Sequence, residues 1–133
     1  MSGKPIQVYK TKWFARFARQ EGIADTNLAE TIKRAEQGLI DADLGGGLIK
    51  MRIARPGQGR SGGHRAVIAY RLGNRAVFIY GLAKSDQDNF AEIDLKTARE
   101  IASIWIPARQ ERIALGIQAG ELVEVINGEE GIE

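Results

Sequence analysis

Residues 44–84 carry eight basic side chains and no Asp or Glu, in a segment whose apolar residues recur with a period of two. In 48–53 every second residue from Ile49 is apolar, so Lys50 and Arg52 point to the opposite side of a strand. A block of like charges repels itself and costs compactness unless a ligand gains from its field. Phosphate is such a ligand, because phosphate contacts supply most of the affinity of nucleic-acid binding. We expect a sheet with a basic face that binds nucleic acid, although a solvated arginine-rich surface explains the charge too. The basic residues are Lys50, Arg52, Arg55, Arg60, Arg65, Arg71, Arg75 and Lys84.

Helical and strand periodicities place this segment in an α+β fold. Apolar spacing predicts N-terminal helices packed on a small, mainly antiparallel sheet with a three-strand meander, followed by a C-terminal helical segment. The tripeptide Leu72-Gly73-Asn74 indicates a tight hairpin, and Pro107 ends or kinks the last helix. The predicted elements are a brief strand at 6–9, helices at 13–18 and 27–39, strands at 48–55, 65–71 and 75–83, a helix at 95–105 and a last strand at 122–126.

Length and composition indicate one small domain. With 133 residues, 44% of them hydrophobic, the chain can bury a core, and we expect a single domain over 1–133 with a flexible acidic tail at 127–133. The absence of Cys removes disulfides, thiolate metal sites and Cys nucleophiles. The first residues lack the apolar stretch of a signal peptide, and no run approaches the roughly 20 apolar residues of a membrane span. We therefore expect a cytoplasmic protein that does not bind membranes.

The motifs for nucleotide, metal and paired-histidine chemistry are absent or out of context. Residues 57–62 match G-x-G-x-x-G, but a strand-like segment follows where the dinucleotide fingerprint needs a helix, so we expect no cofactor. His64 is the one histidine and the basic segment has no carboxylate, so we expect no metal site and no cleavage by paired histidines. Ser61 with His64 and a distant acid is a weak alternative, and His64 is expected at a loop edge without a catalytic task.

Phosphate chemistry by cationic side chains fits the pattern better. An Arg holds two phosphate oxygens at once, and a crowded basic site makes a proton-transferring Lys more credible. Solvation alone explains Arg71 and Arg75 beside the hairpin, but it explains the other cations less well. The residues expected to converge on one concave surface of the meander are Lys50, Arg52, Arg65, Arg71 and Lys84.

The aromatic residues permit base stacking without requiring it. We expect a core position for Trp13, Phe14, Phe17 and Phe78. Tyr70 and Tyr80 lie in predicted strands, and either environment suits them.

One long motif and two shorter ones resemble a known family. The long motif is Lys50-x-Arg52-x-Ala54-Arg55-Pro56-Gly57-x-Gly59-x-Ser61-Gly62-Gly63-x-Arg65, followed by Phe78-x-Tyr80-Gly81-x-Ala83-Lys84 and Asp88-Asn89. Segments 10–16 and 120–125 add weaker matches. Together they resemble the RelE-like toxins of bacterial type II toxin–antitoxin systems, and most closely the branch related to HigB toxins that occurs in phages and mobile elements. The resemblance covers 9–126.

The resemblance implies both a fold and an activity. The fold would be a small α+β domain with helices on one face of a mostly antiparallel sheet. The activity would be metal-free cleavage of messenger RNA in the ribosomal decoding site, in which the ribose 2′-OH attacks the adjacent phosphate and translation stops. By position, Arg65 would bind the scissile phosphate, and Lys84 would act as general acid or phosphate clamp. Lys50 and Arg52 would orient or deprotonate the 2′-OH. The further candidates for RNA binding are Arg55, Arg60, Arg71 and Tyr80.

The same resemblance leaves alternatives open. Several RelE-like toxins use a Tyr near the C-terminus to stack or to transfer a proton. No Tyr follows Tyr80 here, so that role is vacant or falls to Tyr70 or Tyr80. ParE-like relatives act on DNA gyrase, and the basic sheet would also suit a non-catalytic module that binds nucleic acid or the ribosome. The implied partner is a cognate antitoxin that covers the basic face, in this branch often a helix-turn-helix DNA-binding protein.

Overall fold

The computed structural model describes residues 6–55, 59–82 and 92–126, and within them the chain forms four helices and a six-stranded sheet. The strand order is β2-β3-β4-β5-β1-β6, in which β1 and β5 are parallel and the other neighbours are antiparallel. This arrangement confirms the predicted α+β class. The elements are β1 (Gln7–Thr11), α1 (Lys12–Glu21), α2 (Asp25–Glu36), β2 (Ala42–Gly45), β3 (Leu48–Arg55), β4 (Gly59–Arg71), β5 (Arg75–Leu82), α3 (Glu92–Trp105), α4 (Gln110–Gln118) and β6 (Leu122–Glu124).

The two central strands are apolar on both faces, and helices cover both faces of the sheet. Residues 66–69 of β4 and 76–79 of β5 are each 0% exposed, and neighbouring residues of a strand point to opposite sides. On one face Ile68 and Phe78 pack against α1 and α2, and on the other Val67 and Val77 pack against α3 and α4. We name the second face, which carries Val67, the α3 face.

A one-face arrangement of helices, as the resemblance implied, is therefore wrong for this chain. The signal was present in 76–79, because Ala-Val-Phe-Ile is a continuous apolar run and such runs are typical of strands buried on both sides. The strands β3, β4 and β5 follow one another in the sheet, and β1 and β6, at the strands predicted at 6–9 and 122–126, continue it beyond β5. Strand β2 was not predicted, since its four residues Ala-Asp-Leu-Gly have little strand propensity.

Two arginines fix α3 over one end of the sheet. Arg99 donates to the carbonyl of Leu44 in β2 at 2.7 Å. Arg75, only 5% exposed, donates to the carbonyls of Trp105 and Ala108 at 2.7 Å each, where α3 ends. The last carbonyls of a helix lack partners within the helix, and a buried guanidinium supplies several donors to them. Arg75 is thus a structural residue, and it holds the C-terminal end of α3 at the hairpin end of the α3 face.

The start of α1 is tied to β5 by a single buried threonine. Thr11 caps α1 by accepting a hydrogen bond from the Phe14 backbone N–H at 3.1 Å, and its hydroxyl donates to the carbonyl of Ile79 at 3.0 Å. The helix ends at Gly22, whose φ of 69° is a left-handed conformation that glycine adopts without strain. The first turn of α1 therefore lies at the same end of the sheet as the last residues of β5.

Candidate nucleic-acid interface

The strand register brings three of the predicted cations to one patch of the α3 face. Residues directly opposite each other in antiparallel strands share a face of the sheet. Two such rows cross the three strands at the end away from the hairpin. The first row is Lys50, Val67 and Tyr80, and the second is Arg52, Arg65 and Leu82. Lys50, Arg65 and Tyr80 are half-buried, and Arg52 is exposed. We call Lys50, Arg52, Arg65 and Tyr80 the basic patch.

A bulge in β5 is what puts Tyr80 in the basic patch. Val67 pairs with Tyr80 and the next residue, Ile68, pairs with Phe78, so Ile79 is an extra residue in β5. Without it, strict alternation from Phe78 would place Tyr80 on the same face as Phe78, under α1. The bulge shifts the alternation by one residue, and the phenol lies beside the cations instead.

The main chain at Arg52 is held from two sides. Its N–H donates to the Asp41 carboxylate at 2.7 Å, and its carbonyl accepts from the Arg34 guanidinium at 2.8 Å. Asp41 therefore binds backbone next to the basic patch. In the part of the chain that the structure describes, the ion pairs are Lys10–Asp25 and Arg112–Glu121, and His64 forms a hydrogen bond with Glu21. None of these contacts involves a cation of the basic patch.

Tyr80 is in an environment that keeps its hydroxyl protonated. Burial, and then the charge of Asp94, raise the pKa of Tyr80 above its ordinary value of 10. A neutral phenol donates a hydrogen bond and presents an aromatic face, which are the two contributions a nucleotide site draws from tyrosine.

Tyr70, the other tyrosine left open by the sequence, has a different position. It lies on the face covered by α1 and α2, where its hydroxyl donates to Glu36. The same carboxylate accepts the Gly73 N–H at 2.9 Å, so this group ties α2 to the hairpin. Of the two tyrosines, Tyr80 lies in the basic patch and Tyr70 is structural.

His64 also lies away from the basic patch. It is 3% exposed, its Nε2 is 2.9 Å from the Glu21 carboxylate, and its ring meets the Phe17 ring edge-on at 5.6 Å between centroids. The expected loop-edge position is wrong, because His64 pairs with Ile53 inside the sheet and points under α1. Its buried position also separates it from any nucleophile on the α3 face.

The remaining predicted site residues are dispersed or lie outside the description. Arg71 is exposed beside the hairpin, six residues and about 20 Å along β4 from Arg65. The structure therefore does not bring Arg71 to the basic patch. Lys84 and the tail at 127–133 lie outside the described residues, and of Arg55 and Arg60 only the backbone is described, within β3 and β4.

The sequence analysis missed Trp13. It was expected in the core with Phe14, Phe17 and Phe78, yet it is 51% exposed, whereas Phe14 and Phe78 are fully buried and Phe17 packs against the core. The Trp13 ring lies 6.5 Å from the Tyr80 ring between centroids. Five of the six residues 13–18 are apolar, which makes a stripe wider than one packed helix face, and this was the signal that one of them would be exposed.

Comparison with known families identifies the family. The model of the RelE toxin of the RelE / RelB toxin-antitoxin system matches residues 6–125. The chain belongs to the RelE toxin family. It is therefore a toxin of a toxin–antitoxin system, and RelE toxins pair with an antitoxin. The match is to the family as a whole, and the HigB-related branch stays a prediction. A search of curated proteins found no match.

Two further observations concern the surroundings of the toxin. Within the described residues, no helix combines the length and apolar character needed to cross a bilayer. Among the described side chains, no three His, Asp or Glu groups come together in a cluster that would hold a metal ion.

Proposed function

We propose that this toxin is an endoribonuclease that cleaves messenger RNA in the ribosomal decoding site without a metal ion, in the cytoplasm, and so inhibits translation. The observation that supports this most directly is the basic patch, where Lys50, Arg52 and Arg65 lie on adjacent strands with no described carboxylate paired to them. In the transition state the phosphorus gains a fifth oxygen and negative charge builds up on the oxygens around it. Fixed cations stabilise this transition state more than the ground state. Membership of the RelE family favours this activity over simple binding.

The reaction would use the RNA's own nucleophile. A bond forms between the ribose 2′ oxygen and phosphorus while the bond from phosphorus to the 5′ oxygen breaks, leaving a cyclic phosphate and a free 5′-hydroxyl. One proton leaves the 2′-OH and one is delivered to the departing 5′ oxygen. The chain needs one proton-transferring group near the 2′ oxygen and another near the 5′ oxygen. It also needs cations at the two non-bridging oxygens of the phosphate.

The patch offers a residue for each position except the proton donor to the leaving group. Arg65 lies in the middle strand, opposite Arg52, so two guanidinium groups can hold the two non-bridging oxygens. Lys50 lies on the same side one row away and would orient or deprotonate the 2′-OH. Lys84, two residues beyond the end of β5, is proposed as the donor to the 5′ oxygen on the family resemblance.

The partner is proposed from the same surface. An antitoxin that silences this activity would cover the basic patch or distort it, and we propose a helix-turn-helix DNA-binding protein. Its contact with Lys50, Arg52 or Arg65 would compete directly with RNA.

The experiment is induced expression in a bacterial host with 5′-end mapping of cellular messages before and after induction. The parent should produce new cuts in translated regions, and Arg65→Ala and Lys50→Ala should not. Arg19→Ala is the matched control, because Arg19 is an exposed arginine on α1 and its loss removes the same charge elsewhere. Growth arrest without cuts would contradict the nuclease and direct attention to gyrase, tested by DNA supercoiling. Equal cutting by the parent and Arg65→Ala would exclude the basic patch as its site.

A further inference from the structure

Trp13 and Tyr80 form an aromatic pair at the edge of the basic patch. Their ring centroids are 6.5 Å apart with the planes tilted by 47°, so the two rings do not stack on each other. Tryptophan is on average one of the more buried side chains, yet half of Trp13 is exposed beside Tyr80. The Lys12 ammonium lies over the indole, so a planar ligand would take the part of the aromatic surface that Lys12 and Tyr80 leave exposed.

The pair is held in place by the protein before any ligand binds. The Thr11 hydroxyl donates to the carbonyl of Ile79, the residue before Tyr80. The Phe17 ring lies against Gly81, the residue after Tyr80, so closely that a Cβ atom there would be 2.3 Å from it. The first turn of α1, which carries Trp13, is therefore fixed to β5 on both sides of Tyr80. A rigid aromatic surface loses little entropy when it binds.

Cations lie beside both rings of the pair, although the carboxylate of Asp94 is also close enough to act on Tyr80. The Lys12 ammonium lies 5.6 Å from the centre of the Trp13 ring. Tyr80 is the diagonal neighbour of Arg65 across β4 and β5, a relation that places Cβ atoms about 7–8 Å apart. A base lying on the aromatic pair thus has cations on two sides for its flanking phosphates.

We propose that Trp13 and Tyr80 form a stacking site for one unpaired RNA base next to the phosphate bound by Arg65. This inference rests on the proposed function, which supplies RNA as the ligand. The base stacks on the exposed face of Trp13, because the tilt of the rings excludes a sandwich between them, and its edge meets the Tyr80 hydroxyl. Base–aromatic stacking tolerates any base, so the site positions the strand and adds little sequence preference.

The test compares a base-bearing oligonucleotide with an abasic one of equal length and charge, both carrying 2′-O-methyl groups so that no cleavage can occur. The chain has two tryptophans, and Trp105 is only 6% exposed, so Trp105→Phe leaves Trp13 as the sole tryptophan, whose emission can be excited apart from that of the tyrosines. The base-bearing strand should quench Trp13 fluorescence on saturation, and the abasic strand should bind, as seen by anisotropy, without quenching.

Binding affinity, measured on variants of the parent chain that keep Trp105, gives a second test that does not depend on Trp105→Phe folding. Trp13→Ala should weaken binding of the base-bearing strand by about 5- to 150-fold, the range of one lost stack, and leave the abasic affinity unchanged. Leu115→Ala is the control, since Leu115 is 58% exposed on α4 and its loss should change neither affinity.

An equal loss of affinity for both strands, or binding without quenching, would overturn the stacking site. A Trp13→Ala variant that binds both strands like the parent but no longer binds its antitoxin would assign the pair to a protein partner instead. Quenching and selective loss without any cleavage of messages in cells would retain the stacking site and reject the nuclease. The two proposals therefore fail by different results.

Discussion

The Phe17 ring lies so close to the backbone of Gly81 that a Cβ atom added to Gly81 would clash with two of its ring atoms. Phe17 cannot easily move aside, because Phe14 and His64 pack against its ring, at 5.5 Å and 5.6 Å between centroids. This contact sets the distance between α1 and β5, and through it the distance between Trp13 and Tyr80.

Gly81→Ala should destabilise the protein by about 1–3 kcal/mol, the usual cost of overpacking a filled interior. The free energy of unfolding from urea titration would measure it. Phe17→Leu removes the ring, so Gly81→Ala should cost much less in that background than in the parent. The same cost in both backgrounds would show that the ring contact does not limit this position.

Arg75→Met should destabilise the protein by about 3 kcal/mol, because the side chain's volume is kept while buried carbonyls at the end of α3 lose a charged donor. Arg71 is its cross-strand partner and is exposed, so Arg71→Met is the matched control and should change stability by about 0.5 kcal/mol or less. Urea unfolding of both variants checks this. Similar losses in the two would argue against the role given to Arg75.

The stability of the protein should fall as the pH rises above 10. Burial raises the pKa of all three tyrosines, Tyr9, Tyr70 and Tyr80, and the hydrogen bond to Glu36 raises that of Tyr70 further. Between the unfolded and folded pKa values the unfolded chain binds fewer protons, so each tyrosine contributes stability below pH 10 that is lost as the pH rises through its folded pKa.

Absorbance titration of phenolate, together with urea unfolding at several alkaline pH values, would measure this dependence. Tyr70→Phe should flatten the loss of stability most, because Tyr70 has the largest shift. A parent protein whose tyrosines titrate at the ordinary value of 10 in the folded state would contradict the prediction.

Position along β4 should decide how an arginine affects cleavage. Arg65→Ala should reduce the rate of RNA cleavage by 100-fold or more, on the order of the loss when one charge-stabilising donor is removed. Arg71→Ala, on the same face but about 20 Å away, should reduce it by less than about fivefold, through weaker long-range attraction alone. Primer extension on a defined message with purified ribosomes measures both. Equal losses would mean that the RNA runs the length of β4.

Sequence reasoning was most accurate where the pattern repeats. The alternation in 48–53 placed Lys50 and Arg52 on one face and Ile49, Met51 and Ile53 on the other, as the structure has them. Each residue of a regular strand fixes the side of the next, so a few residues determine the whole strand.

It was least accurate where one residue breaks a repeat or where distant segments meet. The bulge at Ile79 has no sequence signature, because Phe78, Ile79 and Tyr80 are all good strand residues. The exposure of Trp13 depends on α1 lying across the end of β5, a contact between residues far apart in the chain. The parallel pairing of β1 with β5 likewise depends on tertiary structure.

The bulge at Ile79 also bears on how the family should be compared. One inserted residue moves the side chains that follow it to the opposite face of the sheet. A relative with one residue fewer in β5 would therefore carry this aromatic ring on the face covered by α1. Two such chains would align well in this strand and differ by one gap, yet only one would present a phenol to a ligand. A gap position, and not the identity of the aligned residue, would then separate members with the phenol on the α3 face from members without it.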